Sequence, residues 1–495
     1  MSGRKGVLLI RSETPVNVKF SYIPNSLLVL AEALLKHGYQ PSIIDMKVQD
    51  WRAALNAIDI DLLLYAGIGT LTGPQIQYGL EIARALREKR SDLPIIWGGV
   101  HPSLLPEETV AHDLCDAVVR GEAEETVVEL AQRIEAGESY YNVRGCTFKL
   151  EGKIVSTPDR DWTDLDAIGL LPYHLLDMKK YDIDSYFTYH SSRGCPHNCG
   201  FCINLAYNKK TFRAQSAEKI VNNIEHILRP YGVKTIYFTD DNFLVNRQRI
   251  ETMARLIIER GLKFDWIASC RFDYFVKYDA RFLSLLKESG CVRLGYGAES
   301  GSRRILEYID KGITPDQVLS SVQKARDAGI KMMPVSFMYG FPGETRDDLL
   351  ASLDLIDKIR ETTGANTVIN GIFLMTPYPG IPLSDELKKM GFQFPSSFEA
   401  WGRYTMGEVV DKRIFWLDRD YLIEAFCAAN IARFHFFVQI GAGKRLKSPL
   451  LRLLYRLFIL PFLLSEKLRW KRRYFKHPYE WYLWSFIRNT YLQGT

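Results

Sequence analysis

The stretch Ser191-Ser-Arg-Gly-Cys195-Pro-His-Asn-Cys199-Gly-Phe-Cys202 decides how the rest of this 495-residue chain is read. Three cysteines, spaced Cys-x3-Cys-x2-Cys, fall between an extended aromatic run, Tyr186-Phe-Thr-Tyr-His190, and a helix-like segment that begins near Ser216. Gly194, Pro196 and Gly200 supply turn chemistry, so the three thiols share one tight loop. Thiolates are ligands for soft metals and iron–sulfur clusters, and three fall one short of the number that closes a four-iron cluster or a structural zinc site. One metal position is left for a group that is not protein. Two other readings stay open. The cysteines are small buried hydrophobes, or they are zinc ligands completed by His197 or His190.

Cys195-x3-Cys199-x2-Cys202, with aromatic Phe201 before the third cysteine, resembles the signature of the radical S-adenosylmethionine (SAM) superfamily. The resemblance implies a [4Fe–4S] cluster on Cys195, Cys199 and Cys202. Its open iron would bind SAM, and an electron from the cluster would cleave SAM to methionine and a 5′-deoxyadenosyl radical.

From Tyr186 to Thr376 six strand patterns recur: Tyr186–Arg193, Thr235–Thr239, Phe264–Ser269, Val292–Gly297, Met333–Tyr339 and Thr367–Leu374. Helical patterns fill the gaps, among them Ala217–Leu228, Arg247–Arg260, Ala280–Ser289, Pro315–Ala328 and Arg346–Arg360. Repeated β/α units predict a partial, TIM-like parallel barrel with its chemistry at the carboxyl ends of the strands. Those ends carry Asp240-Asp241-Asn242, Arg271, Glu299-Ser300-Gly301-Ser302, Gly340-Phe-Pro-Gly343 and Pro377-Tyr-Pro-Gly380. Carboxylates at glycine-bracketed strand ends can accept from ribose hydroxyls or a ligand ammonium. The resemblance gives Phe201, Asp240 or Asp241, Glu299 and Ser300 to SAM.

Residues 5–140 alternate short apolar runs with amphipathic stretches such as Ser26–His37 and Gln75–Lys89. Val7–Ile10, Ser42–Asp45, Asp61–Gly67, Pro94–Trp97 and Ala117–Arg120 read as buried strands of a doubly wound, Rossmann-like parallel sheet. Ligands of such sheets bind beyond the carboxyl ends of the strands. The Gly98-Gly99-x-His101-Pro102 and Arg120-Gly121-Glu122 segments resemble the cobalamin-binding domain that precedes many radical SAM cores. That likeness implies a cobalamin contact set of Thr70, Leu71, Gly98, Gly99, His101, Gly121 and Glu122. One departure stands out. Where many such domains place a histidine-bearing Asp-x-His-x-x-Gly loop, this chain reads Asp45-Met-Lys47-Val-Gln-Asp50, and a protonated lysine cannot ligate cobalt. Cobalamin without a protein ligand to its lower face and a sheet that has lost its cofactor both remain open.

The expected organisation is therefore 1–140 cobalamin-binding-like, 141–184 connector with a hairpin around Glu151-Gly152, 185–385 radical SAM core, and 386–495 a helical, basic region. Eight cysteines, three of them clustered, do not make a disulfide framework, and with no secretory signal in Met1-Ser-Gly-Arg-Lys5 a reducing cytoplasm is expected. Net charge is +6, yet Lys444–Lys476 holds eleven basic residues against Glu466 alone, so the remainder is acidic. Pro449–Leu464, with Arg452 and Arg456 on one helical face, is too short and too charged to span a bilayer. With Lys444–Lys447, Lys467–Lys476, Trp470, Trp481 and Trp484 around it, it suits an interfacial helix at the inner face of a membrane. A helix packed on the barrel with a solvated basic face is the alternative, and nucleic-acid binding is the weaker one, since no RNA-binding module is recognisable.

The resemblance implies an enzyme served by an electron donor such as flavodoxin or ferredoxin. It would methylate an unactivated carbon of a hydrophobic substrate: a lipid, isoprenoid or tetrapyrrole. A cobalamin-assisted cyclisation, rearrangement or carbon–carbon coupling, like that of the anaerobic magnesium-protoporphyrin monomethyl ester cyclases, is the rival. A non-catalytic iron–sulfur or membrane scaffold is the rival of another class.

Overall fold

The structure is a computed structural model, and it describes residues 5–13, 21–364, 369–405, 413–439, 448–477, 479 and 482. The amino-terminal apolar runs become β1 (Gly6–Arg11), β2 (Gln40–Asp45), β3 (Leu63–Gly69), β4 (Ile95–Gly98) and β5 (Ala117–Val119), all parallel. Their order, β2-β1-β3-β4-β5, reverses direction between β1 and β3, which makes the crevice beyond their carboxyl ends the natural ligand site. The sheet does not stop at residue 140. The hairpin β6 (Cys146–Leu150) and β7 (Lys153–Ser156) turns at Glu151 and Gly152, both at positive φ, and extends the sheet antiparallel from β5. The connector is thus shorter than expected, because its first half is built into the sheet.

The second unit is an open six-stranded parallel sheet. Its strands run in the order β15-β14-β13-β12-β11-β8: β8 (Phe187–Tyr189), β11 (Thr235–Phe238), β12 (Asp265–Cys270), β13 (Cys291–Glu299), β14 (Lys331–Tyr339) and β15 (Ile369–Leu374). Thr367 and Val368, expected to open the last strand, lie outside the described residues. The run expected as one strand, Tyr186–Arg193, is broken. Asp240 takes hydrogen bonds from the Ser191 backbone N–H (3.3 Å) and hydroxyl (2.8 Å) and from the Ser192 hydroxyl. These pull the chain off the barrel, and β9 (Ser192–Gly194) pairs instead with β10 (Phe212–Ala214) as an antiparallel ribbon. Gly194 is demanded there: its φ is +85°, and a Cβ would stand 2.1 Å from the Thr211 carbonyl oxygen.

One hydrophobic core runs from the β1/β3/β4 face of the first sheet through the interface into the barrel, with Leu8, Ile68 and Trp97 continuous with Phe238, Trp266 and Phe337. The helix Arg419–Gln439 contacts edge strand β15, and Pro449–Lys471 forms a second long helix. The side chains of its first half, Arg452 and Arg456 included, lie outside the described residues, as do Lys444–Lys447, Trp481 and Trp484.

A short helix, Phe398–Trp401, straps back from beyond the barrel onto the amino-terminal unit. Phe398 meets Trp97 at 4.9 Å and stacks on His101 at 5.7 Å, while Trp401 lies edge-on to His101 at 5.5 Å. His101 is fully buried, bonded through Nδ1 to the Thr72 hydroxyl at 3.0 Å, and burial pushes its pKa down to about 4. Folding therefore holds the imidazole neutral. Its contribution is complete above about pH 6.5 and falls as pH drops toward 4, because the unfolded chain takes up a proton that the folded chain refuses. The full span is on the order of 3 kcal/mol. Urea unfolding at pH 7 and pH 5 should show a smaller loss of stability in His101→Asn than in the wild type, since asparagine keeps the bond to Thr72 without a titratable ring.

Candidate active site

Ribbon β9–β10 presents the cysteine loop over the barrel mouth. Gly200 is stitched by its N–H to the Ile309 carbonyl (2.9 Å) and by its carbonyl to the Leu383 N–H (3.2 Å), which holds the loop in place. Cys199 is buried, and Cys195 and Cys202 are partly so. Each outer wall comes from a strand end. Asn242, after β11, reaches Cys195 Sγ at 3.8 Å, and Arg271, after β12, donates to Cys199 Sγ at 3.2 Å. Phe201 meets Phe341, after β14, at 5.9 Å, and Lys311 Nζ lies 5.8 Å from the Phe201 ring centroid. Burial pushes the Cys195 and Cys202 thiols up, a cost that a bound iron reverses by coordinating the thiolate. Three thiols on one loop, one buried and two partly so, fit a cluster that keeps one iron open.

The residues expected at SAM divide. Glu299 ends β13 at φ +63° and pairs with Lys311 Nζ at 2.7 Å, both side chains nearly buried, so it stands one residue from the cysteine loop through Lys311 and Phe201. Asp241 is exposed, lines the cavity described below, and accepts from the Gly194 N–H at 3.1 Å. Asp240 and Ser300 turn inward. The first is spent on Ser191 and Ser192, the second on Ser352 (3.3 Å) and the Ser302 N–H (3.1 Å).

Between the two units lies a cavity of about 410 Å³. Gly99 and Gly121 at the ends of β4 and β5 form one side, and Tyr189, His190, Arg193 and Asp241 at the barrel mouth form another. Asn25, Asn204, Asn208, Gln215 and Asn223 make its lining rich in amides, and the buried Asn25 Oδ1 has no hydrogen-bond partner among the described residues. Gly121 sits at φ +68° with no heavy atom within 4 Å of where a Cβ would stand. An amide-lined, glycine-floored crevice at sheet carboxyl ends fits the rim of amide side chains on a corrin. Gly99, which lines it, is also required by packing, since a Cβ would lie 2.7 Å from the Thr70 carbonyl. Not every expected contact lines it: Gly98 accepts from the Thr70 N–H at 3.0 Å. The Thr70 hydroxyl is buried with no partner among the described residues, and Leu71 is half exposed. His101 is sequestered in its aromatic box. Asp45, of the segment that departs from the histidine-bearing loop, is locked by Arg11 (2.8 Å), the Tyr181 hydroxyl (2.8 Å) and the Lys47 N–H (3.1 Å).

Glu122 does something the sequence did not announce. It accepts from Arg193 (3.0 Å), Arg213 (2.7 and 2.9 Å) and the Thr163 N–H (2.9 Å), while Glu124 takes the other arm of Arg193 at 2.6 Å. Arg213 also lies over the Trp162 ring at 4.4 Å. This clamp ties the amino-terminal sheet to the ribbon two residues ahead of Cys195, and the Tyr207 hydroxyl adds a bond to the Gly121 carbonyl at 3.0 Å. Its only signal in the sequence is Glu122-x-Glu124 at a strand end and an arginine just before the cysteine motif. Burial pushes the Glu122 carboxyl up, but Arg213 and Arg193 outweigh it and hold it below its usual value. The contribution is present above about pH 4.5 and is lost as pH falls through the depressed value. Glu122→Ala leaves the half-buried Arg213 without its carboxylate partner and Arg193 with Glu124 alone, and is expected to cost about 1–3 kcal/mol in urea unfolding at pH 7.

A sequence profile of the radical SAM superfamily matches residues 189–356, and one of the B12 binding domain matches residues 15–131. An uncharacterised methyltransferase of Pyrococcus horikoshii is 33% identical over 343 residues, covering 68% of this chain and 72% of that one. An anaerobic magnesium-protoporphyrin IX monomethyl ester cyclase of Synechocystis is 31% identical over 235 residues, 46% of each chain, so this chain spans about half of it. Among solved structures, the cobalamin-dependent SAM radical enzyme OxsB, with aqua-cobalamin and SAM bound, superposes with a TM-score of 0.74 at 17% identity over 98% of this chain and 75% of that one. The chain belongs to the radical SAM superfamily, in the group whose radical SAM domain follows a B12-binding domain, and it is an enzyme whose cofactors are an iron–sulfur cluster, SAM and cobalamin.

Proposed function

We propose that the chain is a methyltransferase acting on an unactivated carbon of an apolar substrate held between the two units. The observation that carries this reading is the cavity shared by the ends of β4 and β5 and the barrel mouth beside the cysteine loop. When bound, the cluster and SAM supply one-electron chemistry, and cobalamin supplies a methyl carrier. The chain's own residues bind and orient. Cys195, Cys199 and Cys202 would hold the cluster, Phe201, Asp241 and Glu299 would border SAM, and Gly121 with the cavity amides would seat the corrin. Val29, Leu30, Val100, Leu165, Ile168 and Ile203 give the cavity apolar walls that exclude water from a reactive site and suit an apolar substrate. A one-electron donor of the flavodoxin or ferredoxin kind would complete the reaction.

The two cofactor sites should separate under mutation. After anaerobic reconstitution with iron, sulfide and hydroxocobalamin, Cys199→Ala is expected to lose the cluster's visible absorption and at least tenfold of 5′-deoxyadenosine release while keeping cobalamin through desalting. Gly121→Leu, which drives a side chain into the cavity floor, should do the reverse. Loss of both cofactors in both variants would sink the division of labour. The cyclase relative supports cyclisation as a second reading, and product mass distinguishes it, since methylation alone adds a carbon.

The carboxyl-terminal helix supports docking at an anionic membrane surface, where such a substrate is found. Exposed Leu460, Leu464 and Leu468 recur one turn apart, beside exposed Lys467, Lys471 and Arg472. No helix among the described residues is long and apolar enough to cross a membrane. Sedimentation with phosphatidylglycerol vesicles should exceed that with phosphatidylcholine vesicles and fall at least fivefold in Leu464→Glu. Equal sedimentation with both would refute docking.

A further inference from the structure

Arg271 closes β12 and is buried beneath the cysteine loop. Its guanidinium makes three kinds of contact. Nε donates to Asp273 Oδ1 at 2.9 Å, Nη2 to the Lys311 carbonyl, and Nη1 to Cys199 Sγ at 3.2 Å. Lys311 in turn holds Glu299 in a buried ion pair. Cys199 is also the most buried of the three cysteines of the loop. The contact to Cys195 differs in kind: it comes from the neutral amide of Asn242 at the longer distance of 3.8 Å.

We propose that Arg271 is a positioning residue that holds the Cys199 sulfur by a charge-assisted N–H···S bond and raises the reduction potential of the cluster that this sulfur would ligate. This rests on the reading of Cys195, Cys199 and Cys202 as cluster ligands. A reduced cluster carries one more negative charge, part of it on the ligand sulfurs. A cationic donor on one sulfur favours that state over the oxidised one. Outer partners of this kind also fix the ligand's orientation. Asp273 neutralises part of the guanidinium charge, so removing its carboxylate should act in the opposite direction to removing Arg271.

The test is a redox titration followed by electron paramagnetic resonance on the full chain, reconstituted with iron and sulfide and without SAM. Arg271→Gln is expected to keep wild-type iron and sulfide content and to lower the midpoint potential. At the wild-type midpoint its reduced-to-oxidised ratio should fall about tenfold, which is 59 mV for one electron. Arg271→Lys keeps the charge but loses the planar fork and should fall by less. Asp273→Asn should rise. An Arg271→Gln cluster of full iron content at the wild-type potential overturns the proposal, as does a shift of Arg271→Gln and Asp273→Asn in the same direction. If Arg271→Gln takes up no iron, the comparison passes to Arg271→Lys, whose wild-type potential overturns it. A wild-type chain that forms no four-iron cluster, or a Cys199→Ala chain with a full one, refutes the ligand assignment instead.

Discussion

The ion cluster of Glu122 and Glu124 with Arg193 and Arg213 fixes the relation on which everything at the site depends. Two parallel sheets with a shared apolar core can slide over one another at little cost, because hydrophobic burial is not directional. The guanidinium fork is directional. By bonding Arg193 to carboxylates at the end of β5, the chain locks the ribbon that carries the cysteines against the sheet that resembles a cobalamin domain. Desolvating four charged groups offsets much of their attraction, so the cluster adds less to net stability than to the choice of one orientation. It also engages the Glu122 carboxylate with Arg193, Arg213 and the Thr163 N–H at the edge of the cavity.

The barrel mouth follows the same logic on a smaller scale. Glu299 stands in the left-handed region, a conformation that costs on the order of 1–3 kcal/mol for a residue with a side chain. The buried bond to Lys311 offsets it. Room for that bond comes from Gly297, where a Cβ would lie 2.1 Å from the Glu299 carboxylate and 3.3 Å from the Lys311 ammonium. Strand, glycine and ion pair therefore set the position of Glu299 together. Asp240 works likewise on the other side of the cysteine loop: by taking the Ser191 and Ser192 donors it ends β8 and begins the ribbon.

Much of this was legible in the chain because it is local. Strand period, glycines at strand ends and the cysteine spacing all act within a few residues, and they placed the two sheets, the loop and the hairpin at Glu151-Gly152. What escaped was set by partners distant in sequence. Nothing near His101 shows that Phe398 and Trp401 will enclose it. Asp240 and Asp241 are neighbours of one type, yet successive residues leave a strand end on opposite sides, and only one faces the cavity. The break after Tyr189 could not be read because Ser191 and Ser192 have ordinary strand surroundings until Asp240 arrives from β11. A hairpin carries no sign of which edge it will join, and only the fold shows β6 paired with β5.

Around Cys199 the buried cations are not bare. Arg271 is matched by Asp273 and Lys311 by Glu299, and each pair is bonded at 2.9 Å or less. Matching removes the penalty of an isolated buried charge. It also makes the set close to neutral, so what remains at the loop is the direction of the donors rather than their number. One Arg271 N–H, from Nη1, points to sulfur, while Nε goes to the Asp273 carboxylate. Such a field is fixed by the fold, and dipoles already in place need not reorganise when charge develops beside them. The same pairs that let charge be buried here are thus what keep it aimed.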